Sequence, residues 1–188
     1  MDTRARLVEA MQELLWERGY VGTSPRAVQE RAGAGQGSMY HHFTGKADLA
    51  AVALDRTAHE LAARSEEVLG GPGTPMERLT ENLTRERDVL RGCRVGRMTH
   101  DPDVVADDRL RAPIDEAFHR VRGRYADVLA EAVAAGELPA SVDPVQVAAT
   151  LVAVVQGGYV VARASGNADD FRLAVDGALA LLRGLARA

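Results

Sequence analysis

"RAGAGQGSMYHHFTGKADL", residues 31–49, sets four glycines around one short helical turn and hangs Gln36, Ser38, Tyr40, His41 and His42 on it. It also holds Lys46, the chain's only lysine. Just upstream, Ser24-Pro25 pairs an N-capping side chain with proline at the first helical position, which predicts a short helix running to Ala32. Gly33-Ala34-Gly35 breaks that helix, and a second short one is predicted from Gln36 to Phe43. Two short helices joined by a glycine turn form a helix-turn-helix. Met39 and Phe43, at i and i+4, are predicted to close a small core with Leu15, Val28 and Ala32. Gln36, Gly37, Tyr40 and His41 then fall on another side, facing outward.

Each outward residue type has a use against duplex DNA. Gln36 can make paired hydrogen bonds to adenine N6 and N7, and Ser38 can reach a base edge or a phosphate. Gly37 removes a side chain, so backbone can approach a groove closely. Tyr40, His41, His42 and Lys46 can contact phosphate oxygens. The N–H groups after Thr23 and Ser24 form an anion site at a helix start, with Arg26 beside them. Consecutive His41 and His42 diverge by about 100° on a helix, so a shared metal ion is not expected.

Charge is distributed to match. The chain has 188 residues and a formal net charge of −4. Residues 1–47 carry six Lys/Arg against five Asp/Glu, and no acid lies between Arg31 and Lys46. A near-neutral head on an acidic body suits a local anion-facing surface and excludes a wholly basic nucleic-acid protein. At 46% hydrophobic residues a packed core is affordable. A single cysteine, Cys93, makes no internal disulfide and fits a reducing cytoplasm.

Outside the quoted stretch the periodicity is helical throughout, and no alternation of period two appears. Leu7, Val8, Met11, Leu14 and Leu15 form one stripe, stopped at Gly19. A longer stripe from Leu110 to Ala132 predicts a helix of roughly 40 Å. Thr74-Pro75, Asp101-Pro102 and Asp143-Pro144 repeat the cap-then-proline signal, and "GGPG" at 70–73 ends a helix begun near Lys46. Val145 to Ala162 is uncharged for 18 residues, but its polar residues and glycines favour a buried helix over a membrane span. It and the final helix, with Phe171, Val175, Leu179, Leu182 and Leu185, are apolar over so much of their surface that a second subunit is the expected cover.

Residues 6–54, and "GAGQGSMYHHFTGKADL" within them, closely resemble the tetracycline-repressor-like (TetR/AcrR) family of bacterial transcriptional regulators. The run looks like the family's recognition helix, its Tyr-His-Phe ending and the lysine that opens the fourth helix; "GYVGTSPRAVQERAG" looks like the approach helix. Two positions depart from the pattern: Gly35 stands where a serine N-cap is common, and Gln36 where Lys or Arg is common. "GCRVG" at 92–96, "AGEL" at 135–138 and "VVQGGYVVAR" at 154–163 are similar to a drug-responsive subset.

The resemblance implies an all-α chain of about nine helices. Residues 1–45 would be a three-helix DNA-binding domain and 46–188 a helical ligand-binding and dimerisation domain. It implies a homodimer through the two C-terminal helices, a palindromic double-stranded operator, and a small, largely apolar effector that tilts the fourth helix and releases DNA from a repressor. No cofactor, metal or membrane is implied. Effector contacts are expected from polar residues interrupting apolar helices, Gln156, Tyr159, His119 and Tyr125, with Met76, Met98, Phe118 and Cys93 as walls. The competing reading is an all-α small-molecule binding protein or enzyme without DNA binding. The sequence shows no nucleophile with a base and no phosphate loop for it, since no strand precedes "GAGQG".

Overall fold

Four prolines fix where helices begin. Ser24, Thr74, Asp101 and Asp143 each precede a proline, and each accepts a backbone N–H from the first turn that follows. At Thr74 the cap is reciprocal, because Glu77 reaches back to the Thr74 N–H at 2.8 Å. The computed structural model describes residues 2–186. It contains nine α-helices among them: α1 (Thr3–Arg18), α2 (Pro25–Ala32), α3 (Gln36–His42), α4 (Lys46–Leu69), α5 (Pro75–Thr84), α6 (Pro102–Ala106), α7 (Asp108–Ala134), α8 (Pro144–Ser165) and α9 (Asp169–Leu185). A 3-10 turn, Gly96–His100, precedes α6. No strand occurs among the described residues.

The chain divides into two compact units. The first comprises residues 1–61 and 94–117, the second 62–93 and 118–188. The first is therefore larger than the expected 1–45, because the segment after Arg94 packs back onto α1. Its buried side chains include Leu7, Met11, Leu14, Leu15, Val28, Ala32, Met39 and Phe43, the set expected from the i, i+4 pattern. Buried Gln12 is satisfied by the Thr57 hydroxyl at 2.9 Å, so a polar group inside this unit leaves no orphan.

The second unit centres on Leu79, Leu83, Val128, Leu129, Leu151, Phe171, Val175 and Leu179. α8 packs against α9. Gly158 is what lets them approach: a Cβ there would sit 3.0 Å from Phe171 Cδ2. The expected long helix extends two residues further at each end and carries Pro113 in its second turn. Proline has no N–H to offer the Arg109 carbonyl, a loss of one helical bond near the start.

Within the chain α8 and α9 are not covered all round. Val145, Val160, Val161, Leu173 and Leu181 are exposed, Leu181 at 75%. By length and composition α8 passes for a membrane span, and only 22% of that window is buried. Within the chain alone the apolar surface of α8 and α9 is only partly covered.

Candidate nucleic-acid interface

α2 and α3 are fastened to α1 before anything is presented outward. The Arg31 guanidinium is bidentate on Glu17 at 2.9 and 3.0 Å. Gln29 Nε2 donates to Met39 Sδ at 3.4 Å, tying α2 to α3. Gly33 ends α2 with φ +59°, a left-handed conformation that costs glycine nothing, and its N–H returns to Glu30 O. α3 starts at Gly35 with no side-chain cap and ends at Phe43, whose N–H returns to Met39 O at 3.0 Å. With Met39 and Phe43 buried, the rotation of α3 is set by its core face.

That rotation exposes Gln36, Gly37, Tyr40, His41 and His42 and half-exposes Ser38. Tyr40 is 51% exposed although it is a large ring in a well-packed unit. A Cβ at Gly37 would meet nothing within 4 Å, and its φ is not positive. Neither packing nor backbone geometry within the chain requires glycine there.

The remaining expected contacts are mixed. Ser24 is exposed and its hydroxyl accepts the Ala27 N–H at 3.1 Å. Arg26 is exposed and paired with Glu30 at 2.8 Å, an exchangeable surface pair. Lys46 is half-buried, its ammonium 3.9 Å from the centroid of the Tyr20 ring, and burial pushes its pKa down. At Thr23 only the backbone that follows is expected to face an anion, and its side chain turns inward. It is buried, its hydroxyl donates to Gly19 O at 2.7 Å, and its N–H donates to Tyr20 O. A side chain spent on folding the turn is not offered to a phosphate.

A support that the sequence did not reveal lies behind this turn. Asp101 caps α6, as its place before Pro102 predicts, but its Oδ2 also accepts the N–H groups of Tyr20 and Val21 at 2.7 and 2.9 Å. Gly19 has φ +76°, and a Cβ on it would stand 3.1 Å from the same oxygen. Arg94 pairs with Glu13 at 2.7 Å and stacks over Trp16 at 4.0 Å. These contacts pin the end of α1 and the turn into α2.

The expected effector residues do not form one set. Met98 is buried in the first unit, while His119 is exposed on α7 and sits 3.3 Å from Arg122. Phe118 and Gln156 are half-buried. Met76 lines an open groove of about 610 Å³ with Thr80 and Arg183. Cys93 is buried, Tyr125 donates to Asn82 Oδ1 at 3.2 Å, and Tyr159 packs on Phe171, over which Arg87 also stands. The sequence offers no signal for Arg87 beyond its place among Arg85, Arg91 and Arg94.

Residues 7–53 match the family described as bacterial regulatory proteins, tetR family. Residues 74–178, more than half the chain, match the tetracyclin repressor-like C-terminal domain. The chain is 29% identical to the probable HTH-type transcriptional regulator ArpR of Pseudomonas putida, over 83% of this chain and 78% of that one. It is 28% identical to the HTH-type transcriptional regulator TtgR, also of Pseudomonas putida, over the same shares. Among solved structures, the regulatory protein TetR from Rhodobacter sphaeroides is similar with a TM-score of 0.83 and 26% identity, covering 93% of this chain and 96% of that one.

Proposed function

Because this chain belongs to the tetR family of bacterial regulatory proteins, and so is a ligand-responsive DNA-binding regulator rather than an enzyme, we propose that it is a homodimeric cytoplasmic repressor. Family members bind DNA operators and typically dimerise and bind small effectors. In this chain Gln36 and Ser38 read base edges, Gly37 lets the backbone approach the groove, and Tyr40, His41, His42, Lys46, Ser24 and Arg26 hold phosphate. The single observation that carries this assignment is the surface of α3. Its inner face is filled by Met39, while Tyr40 stands exposed beside a glycine that nothing inside the chain requires.

Dimerisation through α8 and α9 is supported by the apolar residues they leave in water. Gly157 on α8 and Gly177 on α9 add to this, since a Cβ on either would meet nothing within 4 Å. Small residues on an open helix face allow a second copy to come close. A two-fold dimer presents two α3 helices, which matches a palindromic operator with half-sites about one helical turn apart. Effector binding in the C-terminal unit then lowers operator affinity, a coupling typically of about 1–3 kcal/mol.

The test begins with DNA selected from a random pool by the full-length protein. Tyr40→Ala is expected to weaken binding of that DNA at least tenfold, measured by fluorescence anisotropy, with thermal stability and dimerisation unchanged. Unaltered affinity in Tyr40→Ala removes α3 as the DNA-contacting element.

A further inference from the structure

Arg87 lies just past the C-terminus of α5, half-buried. Its Nη1 donates to the carbonyls of Leu83 and Arg85, both at 2.8 Å, and its Nη2 donates to the Asn82 carbonyl. Those bonds place the guanidinium where the helix dipole is negative. Carbonyl dipoles compensate only part of a full charge, however, and desolvation lowers the Arg87 pKa. Burial is the largest influence on Arg87, and among the described residues it makes no ion pair. Arg85 adds a second positive charge, and its Nε is buried without an acceptor.

The aromatic surroundings sharpen the point. Arg87 stands over the Phe171 ring at 5.5 Å, and Phe171 packs on Tyr159 with ring centroids 4.7 Å apart. Tyr125 donates its hydroxyl to Asn82 Oδ1 at 3.2 Å, whereas the Tyr159 hydroxyl has no hydrogen-bond partner among the described residues. Burial pushes the Tyr159 pKa up to about 12, so the phenol stays a donor near neutral pH. A phenol without a protein acceptor and a guanidinium without a carboxylate, both packed on the Phe171 ring, form a constellation that an apolar ligand would leave unsatisfied.

We infer that this cluster receives an organic carboxylate, which pairs with the Arg87 guanidinium, accepts a hydrogen bond from the Tyr159 hydroxyl and lays its apolar body against Phe171. The inference rests on reading the C-terminal unit as the effector-binding part, and it narrows the effector from a largely apolar molecule to a small organic acid. Positive charge at Arg85 favours the same anion.

The experiment titrates the full-length protein by calorimetry with straight-chain monocarboxylates from acetate to decanoate and with benzoate and naphthoate, each beside its neutral amide. At least one acid is expected to bind roughly 30-fold tighter than its amide, as loss of a charge-assisted contact implies. Arg87→Gln is expected to erase that preference. Because Arg87 also holds the end of α5, Tyr159→Phe serves as a second variant: it keeps the ring against Phe171 and is expected to weaken the acid roughly tenfold. Acids that do not bind, amides that bind equally well, or full acid affinity in a folded Arg87→Gln and in Tyr159→Phe each overturn the inference. None of these outcomes depends on DNA. Acid binding by a protein that retards no DNA would sink the repressor reading and leave the carboxylate site standing.

Discussion

α3 and the α8–α9 pair both turn outward a surface that the chain's own core does not explain, but the two are marked by different physics. The α8–α9 face is apolar. Exposed Leu173 and Leu181, about two turns apart along α9, leave area in water that costs about 25 cal/mol for every Å². Covering that face would be favourable on area alone. The α3 face is polar, and Gln36, Tyr40 and His41 are at ease in solvent. Nothing about its energy requires a partner; only its chemistry and the glycine at position 37 point to one. An unstable surface announces that something binds it, while a stable one must be recognised by what its groups could read.

The largest effect should come from the unstable surface. Leu173→Glu combined with Leu181→Glu places charges in the α8–α9 face and is expected to convert the proposed dimer to monomer, read by sedimentation at micromolar concentration. Operator affinity should then fall at least a hundredfold, because two half-sites are no longer engaged by one particle. A double variant that remains dimeric would show that another surface joins the copies.

An intermediate effect probes what holds the α3 side in place. Asp101→Asn weakens the acceptor for the Tyr20 and Val21 N–H groups. It is expected to destabilise the first unit by about 1–2 kcal/mol in urea, followed by the fluorescence of Trp16, the sole tryptophan. An unchanged unfolding midpoint would reduce Asp101 to a helix cap. The smallest effect concerns α3 itself. Gly35→Ser supplies the missing N-cap acceptor and should stabilise the unit by a few tenths of a kcal/mol. If the same change lowers operator affinity, the glycine was kept for close approach to DNA rather than tolerated.

The sequence made much of this fold legible because its signals are local. A capping side chain before proline specifies a helix start within one turn, and all four such pairs begin helices. The core face of α3 followed from two residues four apart. What stayed hidden depends on groups distant in sequence or on backbone turns that no pattern announces. Thr23 shows in the sequence only as a residue before a helix start, and nothing there reveals that its hydroxyl donates to Gly19 O. Asp101 was readable as a cap, but its grip on a turn some 80 residues earlier was not. Arg87 is one arginine among several, distinguished only by the tertiary placement of Phe171 and Tyr159. Periodicity reports which side of a helix is buried; it does not report which buried charge lacks a counterpart.

The most direct measurement is a hydroxyl-radical footprint of the wild-type protein on DNA it has selected, taken with the mass of the complex in solution. Two symmetric protected patches about one helical turn apart, from an even number of chains per site, are the predicted result. A single asymmetric patch from one bound chain, or protection that persists when Gln36 and Tyr40 are both replaced by alanine, would contradict it.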